Sequence, residues 1–220
     1  MSHRRPRHDQ AQLDRLKNEV AQAFPELIAS EEAGHLRFKG PFRIEYEGRR
    51  LDTYEIEIDL PQDYPDSQPI VRESAGRIPR APDRHVNSDG ALCICLPEEY
   101  WLHGFAERPL IDYISGPVRT YLLGNSLVEL GAGWPHGEWA HGSEGLLQFY
   151  QEHLGPIDGR ILRGYLDYLA RPEVRGHWLC PCGSGKVVRK CHMPALRRLR
   201  DRIPPSVAAK SLSMLAASSK

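Results

Sequence analysis

The chain has 220 residues, 40% hydrophobic and 26% charged, with 29 Lys/Arg balancing 29 Asp/Glu. That length builds one substantial core plus a small appendix, or two small domains, and the composition is that of an ordinary folded protein. A formal charge of zero argues neither for nor against a nucleic-acid partner, and no apolar run approaches the roughly 18–20 residues needed to span a bilayer, which excludes a membrane-spanning helix. The first residues carry His3, Arg4, Arg5, Arg7 and His8 with no apolar stretch behind them, so they do not read as a secretory signal. We expect a cytoplasmic protein whose five cysteines serve metal binding and catalysis rather than disulfides.

Asp9 is positioned to cap a helix running to about residue 29, with Leu13, Leu16, Val20, Phe24, Leu27 and Ile28 on one face and Pro25 interrupting it. Short strands are expected at 35–40 and 42–47, separated by Gly40-Pro41, and at 54–60 and 70–73. In the third, Tyr54, Ile56, Ile58 and Leu60 alternate with Glu55, Glu57 and Asp59, so one face is buried and one is wet. Tyr64-Pro65 through Pro69 is a rigid loop. One helix followed by an antiparallel meander predicts an α+β layer fold.

Downstream, Pro109 opens a helix weakened by Gly116-Pro117, and residues 124–142 form a glycine-rich aromatic stretch. Helices are expected from Ser143 to Leu154 and from Ile157 to Ala170, with a linker at 172–176. A cysteine-rich module at 177–203 ends in a basic helix. Residues 204–220, rich in Ser and Ala after Pro204-Pro205, are expected to be disordered.

The segment His85-Val-Asn87-Ser-Asp-Gly90-Ala-Leu-Cys93-Ile-Cys95, with Trp101 beyond it, carries chemistry. A bending loop, an amide donor and a thiol on a short apolar run are what a nucleophilic sulfur with an oxyanion donor requires. The bland reading makes both cysteines small buried hydrophobes and Asn87 a turn residue.

With Tyr64-Pro65 and Pro69, this constellation resembles the ubiquitin-conjugating enzymes, in the form found among bacterial relatives of that family. The family's Tyr-Pro-x-x-x-Pro loop, His-Pro-Asn turn, Gly-x-Ile/Val-Cys approach and downstream tryptophan match Tyr64-Pro65…Pro69, His85-Val86-Asn87, Gly90-Ala-Leu-Cys93 and Trp101 over about residues 9–123. Val86 stands where the family has proline, and the gap from Asn87 to Cys93 is shorter than usual. Cys95 would restore that gap but spoils the glycine and tryptophan offsets, so Cys93 is the preferred nucleophile. Cys95, two residues on, is a candidate resolving or redox partner.

The resemblance implies a ubiquitin-conjugating (UBC-like) fold over residues 1–171 and acyl transfer through a thioester. Cys93 would take an activated protein C-terminus from an activating enzyme and pass it to an acceptor amine of a second protein. Asn87 would hydrogen-bond the oxyanion, and His85 would hold the turn. The conjugated protein would be a ubiquitin-like protein or a nucleotidyltransferase, since relatives of this form accompany such an enzyme in antiphage cyclic-oligonucleotide signalling.

His136-Gly-Glu138-Trp-Ala-His141 departs from the zincin spacing and is not read as a metal site; His136 or His141 is a candidate for deprotonating the acceptor amine, set against an ordinary loop packing Trp134 and Trp139. Gly183-Ser-Gly185-Lys186 lacks the first glycine and the Ser/Thr of a phosphate loop, which removes nucleotide binding there. Instead, Cys180-Pro-Cys182…Cys191-His192 reads as a small zinc site, and the segment resembles the SEC-C motif. That resemblance implies one structural Zn2+ held by Cys180, Cys182, Cys191 and His192, with four protein ligands and no open position. Lys186, Lys190 and the arginines at 189, 197, 198, 200 and 202 face the single acid Asp201 in that region, suggesting an acidic or nucleic-acid partner. Two other functions remain open: a catalytically silent UBC-like protein-binding module, and a zinc-bearing nucleic-acid adaptor.

Overall fold

The computed structural model describes residues 9–32, 35–134, 140 and 142–217. Helix α1 (Gln10–Ala23) begins where expected, because the Asp9 carboxylate accepts the Gln12 amide at 2.7 Å. It ends earlier than the apolar spacing predicts. Pro25 has no amide to donate and forces Phe24 out of helical geometry, at φ −135°. The chain then runs into a strand the sequence reading missed, β1 (Ile28–Glu32), with all five residues exposed.

Strand β2 (His35–Tyr46) is one long strand, not the two short ones expected around Gly40-Pro41. Gly40 pairs with Ile56 and Pro41 with Glu55, so the dipeptide passes straight through the ladder. A Cβ at Gly40 would stand 2.0 Å from the Glu26 carbonyl oxygen, so only glycine lets the two backbones approach. β3 (Arg49–Asp59) and β4 (Ile70–Glu73) complete a four-stranded antiparallel sheet in the order β1-β2-β3-β4. The predicted alternation holds: Leu36, Phe38, Phe42, Ile44, Tyr54, Ile56, Ile58 and Val71 are buried. The opposite face carries charge, with Arg37 bridging Glu57 and Asp59, and Arg72 also reaching Asp59 at 3.0 Å.

Helices α3 (Leu110–Tyr113) and α4 (Arg119–Glu129) join through a π-helical turn, Ile114–Val118, which absorbs Gly116-Pro117 without breaking the run. Leu110, Ile114, Val118 and Leu122 are buried along this run, with α3 packed on α1 and α4 on β2 and β3. α4 also occupies residues 124–129, which the sequence reading placed in the glycine-rich stretch.

The chain divides into two compact units, residues 1–95 with 104–138, and residues 96–103 with 139–220. The second unit contains α2 (Pro97–Leu102), α5 (Gly142–Leu154), α6 (Gly159–Ala170), α7 (Met193–Arg200) and α8 (Pro205–Ala217). Leu146, Tyr150, Leu162, Leu166, Leu196, Leu199, Val207 and Ala208 form its core, and Cys180 and Val188 of the cysteine-rich module belong to the same cluster. The module is therefore built into a helical domain rather than appended to it. α8 corrects the expectation of a disordered tail: Val207, Ala208, Ser211 and Leu215 make one buried stripe, and α8 packs on α6.

Candidate functional site

The thiol segment hangs on a small hairpin in the first unit. Val86 and Leu92 form an antiparallel bridge. Asn87 closes the turn with its backbone, donating to the Ala91 carbonyl and accepting from the Gly90 amide, both at 2.8 Å. Gly90 has φ +82°, as the turn demands. The hairpin is tied to the sheet by the Leu92 amide on the Val71 carbonyl, 2.8 Å.

His85, buried at 8% exposure, sits at φ +53°, a conformation that strains a non-glycine residue. Its carbonyl accepts the Cys93 amide at 2.7 Å, and the Tyr121 hydroxyl reaches the Arg84 and His85 carbonyls at 2.6 and 3.2 Å. Burial pushes the Tyr121 phenol well above its ordinary pKa, so it serves as a donor throughout the neutral range. Trp134 stands edge-on to the His85 ring, centroids 4.8 Å apart, with its indole nitrogen donating to the Asp83 carbonyl. The His85 carbonyl and ring are thus both engaged in the turn.

Cys93 and Cys95 are both half-buried, and neither is in a disulfide. The Ile94 amide bonds the Leu92 carbonyl at 3.1 Å, putting Cys93 at the centre of a three-residue turn. The Cys95 thiol donates to Gln68 Oε1 at 3.4 Å and lies 4.0 Å from the Tyr113 hydroxyl. Gln68 Nε2 donates to the Cys95 carbonyl at 3.3 Å. Asn87 is exposed, and among the described residues its side-chain amide makes no hydrogen bond. Trp101 lies on α2 and is partly buried against the core of the second unit. Of the loop motif, Tyr64 is buried and the Tyr64–Pro65 peptide is cis. His136, Glu138, Trp139 and His141 lie outside the described residues, as does the basic stretch from His3 to His8.

The second unit gathers a different set of sulfurs. Leu179 and Val187 bridge to form a second hairpin, turned at Gly183 and Gly185 with φ +77° and +72°. It brings Cys180, Cys182, Cys191 and His192 together so that one ligand atom from each lies within 4.8 Å of the others. Cys182 Sγ is 3.6 Å from Cys191 Sγ, and His192 Nδ1 is 3.1 Å from Cys191 Sγ and 3.3 Å from Cys180 Sγ. Ligands on a tetrahedral ion with bonds of about 2.0–2.3 Å stand about 3.5–3.8 Å apart, so the cluster can hold a metal ion and is compatible with zinc.

The surroundings suit that use. His192 Nε2 donates to the Leu154 carbonyl at 3.2 Å, leaving Nδ1 as the lone-pair atom facing the sulfurs. Tyr165 OH lies 3.5 Å from Cys180 Sγ, and Ser184 Oγ lies 3.2 Å from Cys182 Sγ. Burial pushes the Cys182 thiol up, but the Ser184 hydroxyl and amide and the two neighbouring thiols outweigh it and hold Cys182 at about 6. Burial raises Cys180 despite the Tyr165 hydrogen bond.

Gln68, Tyr113 and Tyr121 at the thiol site, and Leu154, Tyr165 and Ser184 at the cluster, were not singled out by sequence. Ser184 alone carried a local signal, lying between Gly183 and Gly185; the others are brought in by long-range packing.

No protein-family model matches the chain, and no curated protein matches it. Among solved structures, the chain is similar to the yeast vps23 UEV domain in complex with a vps27 PSDP peptide, at 12% identity and a TM-score of 0.39, over 54% of this chain and 84% of that one.

Proposed function

We propose that the first unit is a ubiquitin-conjugating-like carrier that holds a protein C-terminus on Cys93 as a thioester and passes it to an acceptor amine. One observation carries the reading: the hairpin that delivers half-buried Cys93 also presents an Asn87 amide unengaged by any described residue. The turn is closed by backbone and by Asp89, whose carboxylate takes the Ala91 amide at 3.1 Å, so the Asn87 side chain is not spent as a cap.

In the reaction, the Cys93 thiolate attacks an activated carbonyl carbon, the carbon–sulfur bond forms, and the activating group leaves. The acceptor amine then attacks the thioester carbon, Asn87 donates to the oxyanion, and the Cys93 thiolate departs as the amine loses its proton to solvent. Tyr121 and the His85 carbonyl hold the Cys93 backbone through both steps. We assign the cluster of Cys180, Cys182, Cys191 and His192 Nδ1 to a structural zinc ion, which would cross-link the chain around the second hairpin and, with four protein ligands, leave no position for substrate. The motif resemblance extends the proposal to bacterial antiphage signalling, with a ubiquitin-like protein or a nucleotidyltransferase as the conjugated partner.

A second reading, a zinc-bearing nucleic-acid adaptor, is favoured by exposed Lys186, Arg189, Lys190, Arg197 and Arg198; it predicts binding to DNA or RNA that weakens steeply with salt.

Recovery of the protein from its native cells as wild type and as Cys93→Ser tests the proposal. Wild type should carry a thiol-labile adduct, and the serine variant a thiol-resistant, hydroxylamine-sensitive ester. An absence of adduct in both forms would leave a protein-binding module.

A further inference from the structure

We propose that Cys93 and Cys95 form a peroxide-reactive pair, in which Cys93 is oxidised and Cys95 resolves it as an intramolecular disulfide. The transfer reaction needs a single thiol and gives Cys95 no task. Yet Cys95 is not packed as a small hydrophobe. Its sulfur is held between an amide oxygen, Gln68 Oε1 at 3.4 Å, and the Tyr113 hydroxyl at 4.0 Å. Gln68 grips the same residue a second time, through Nε2 on the Cys95 carbonyl. Tyr113 is 1% exposed and fully packed, so its hydroxyl cannot swing away, and it can turn its proton toward a Cys95 thiolate as one forms.

Cys93, two residues back, sits at the centre of its turn with its amide on the His85 carbonyl. Two trans peptides keep the Cα atoms of residues 93 and 95 within about 7 Å, at the upper edge of the disulfide range, so closure asks only for local backbone relaxation. Both residues are half-buried rather than sealed in the core, which leaves a small oxidant access.

The chemistry balances with a hydroperoxide as oxidant. The Cys93 thiolate attacks one peroxide oxygen, the O–O bond breaks, and hydroxide leaves, giving a sulfenic acid. Cys95 gives its proton to that hydroxide, forming water, and its thiolate attacks the Cys93 sulfur. The S–O bond breaks and the second hydroxide leaves, taking a solvent proton to become a second water. Two thiols supply the two electrons that reduce the peroxide. A low-molecular-weight dithiol would restore the pair by exchange. The disulfide also intercepts Cys93 before it reaches the irreversible sulfinic stage.

The test treats the full zinc-loaded chain with hydrogen peroxide, alkylates the remaining thiols and maps masses by peptide. We expect the peptide holding both residues to lose about 2 Da, to regain it with dithiothreitol, and to appear before any change at Cys182 or Cys191. In Cys95→Ser, Cys93 should instead gain about 32 Da, roughly tenfold faster than in wild type. In Cys93→Ser, Cys95 should stay alkylatable. Equal over-oxidation of Cys93 in wild type and Cys95→Ser would overturn the proposal, as would a disulfide at Cys182–Cys191 while Cys93 and Cys95 remain reduced. The readout needs no acyl donor, so it stands or falls separately from the transfer reaction.

Discussion

Two hairpins in this chain present cysteines in similar frames and to opposite ends. Each is closed by one isolated bridge, Val86 with Leu92 and Leu179 with Val187, and each turns on glycines of positive φ. In the second, three sulfurs and a nitrogen converge within 4.8 Å and are backed by Leu154, Tyr165 and Ser184. With its cysteines ionised, such a donor set would be neutralised by a shared cation. In the first hairpin, Cys95 Sγ meets the Gln68 amide oxygen and the Tyr113 hydroxyl, and Cys93 is held through its backbone amide on the His85 carbonyl. A thiolate that ligates a metal ion is a poorer nucleophile than one that does not. The difference lies in the side chains that the surrounding elements bring to each hairpin.

The largest effect that would sharpen this contrast is metal removal. Structural zinc in small domains contributes about 10–16 kcal/mol of apparent binding free energy, so Cys191→Ser or a strong chelator should release one zinc per chain and abolish cooperative unfolding of the second unit. Elemental analysis with circular dichroism melts would show it. The first unit's sheet signal should persist; simultaneous collapse of both would break the comparison.

Next in size, Asn87→Ala should slow aminolysis of a preloaded Cys93 thioester by about 10²–10³ with the melting temperature unchanged, because its side chain bonds none of the described residues. A rate equal to wild type would return Asn87 to a turn residue. Within the second core, Leu166→Ala should cost about 2–5 kcal/mol in denaturant unfolding, since Leu166 is fully buried between α6 and its neighbours.

A smaller effect concerns Glu98. It is fully buried on α2, its Oε1 takes the Ser211 hydroxyl at 2.5 Å, and the buried Tyr150 hydroxyl is its near neighbour. Burial raises its pKa above the ordinary 4.5, more than the Ser211 hydrogen bond lowers it. The folded state therefore favours the protonated acid. The stability tied to that proton is complete below the unfolded pKa and is lost as pH rises through the folded one. Glu98→Gln should melt higher than wild type at neutral pH and converge with it near pH 4 (about the unfolded value) in a pH series of thermal melts. A constant offset across pH would remove the titration from the account.

How much of this was legible in the sequence follows the range of the interactions. The cluster Cys180, Cys182, Cys191 and His192 is legible because all four residues fall within one short segment. The alternation of β3 and the Asp9 cap were local too, and both stand. β1 was invisible because Ile-Ala-Ser-Glu-Glu has no buried face; backbone pairing with β2 makes it a strand. The Ser/Ala content of α8 suggests a tail, whereas Val207, Ala208, Ser211 and Leu215 mark a helical stripe after Pro205. Gly116-Pro117 looked like a weakness because a π-turn has no sequence signature of its own. The residues that flank the two sulfur sites, Gln68, Tyr113, Tyr121, Leu154 and Tyr165, arrive from distant elements, and no local pattern announces them.

The most direct trial of the carrier idea is to locate the bond itself. Cys93→Ser recovered from native cells should yield, after digestion, a branched peptide in which another protein's terminal carboxyl is esterified to residue 93, and that species should vanish in Cys93→Ala. An ester found at another hydroxyl, or the same branched species surviving in Cys93→Ala, would contradict the account.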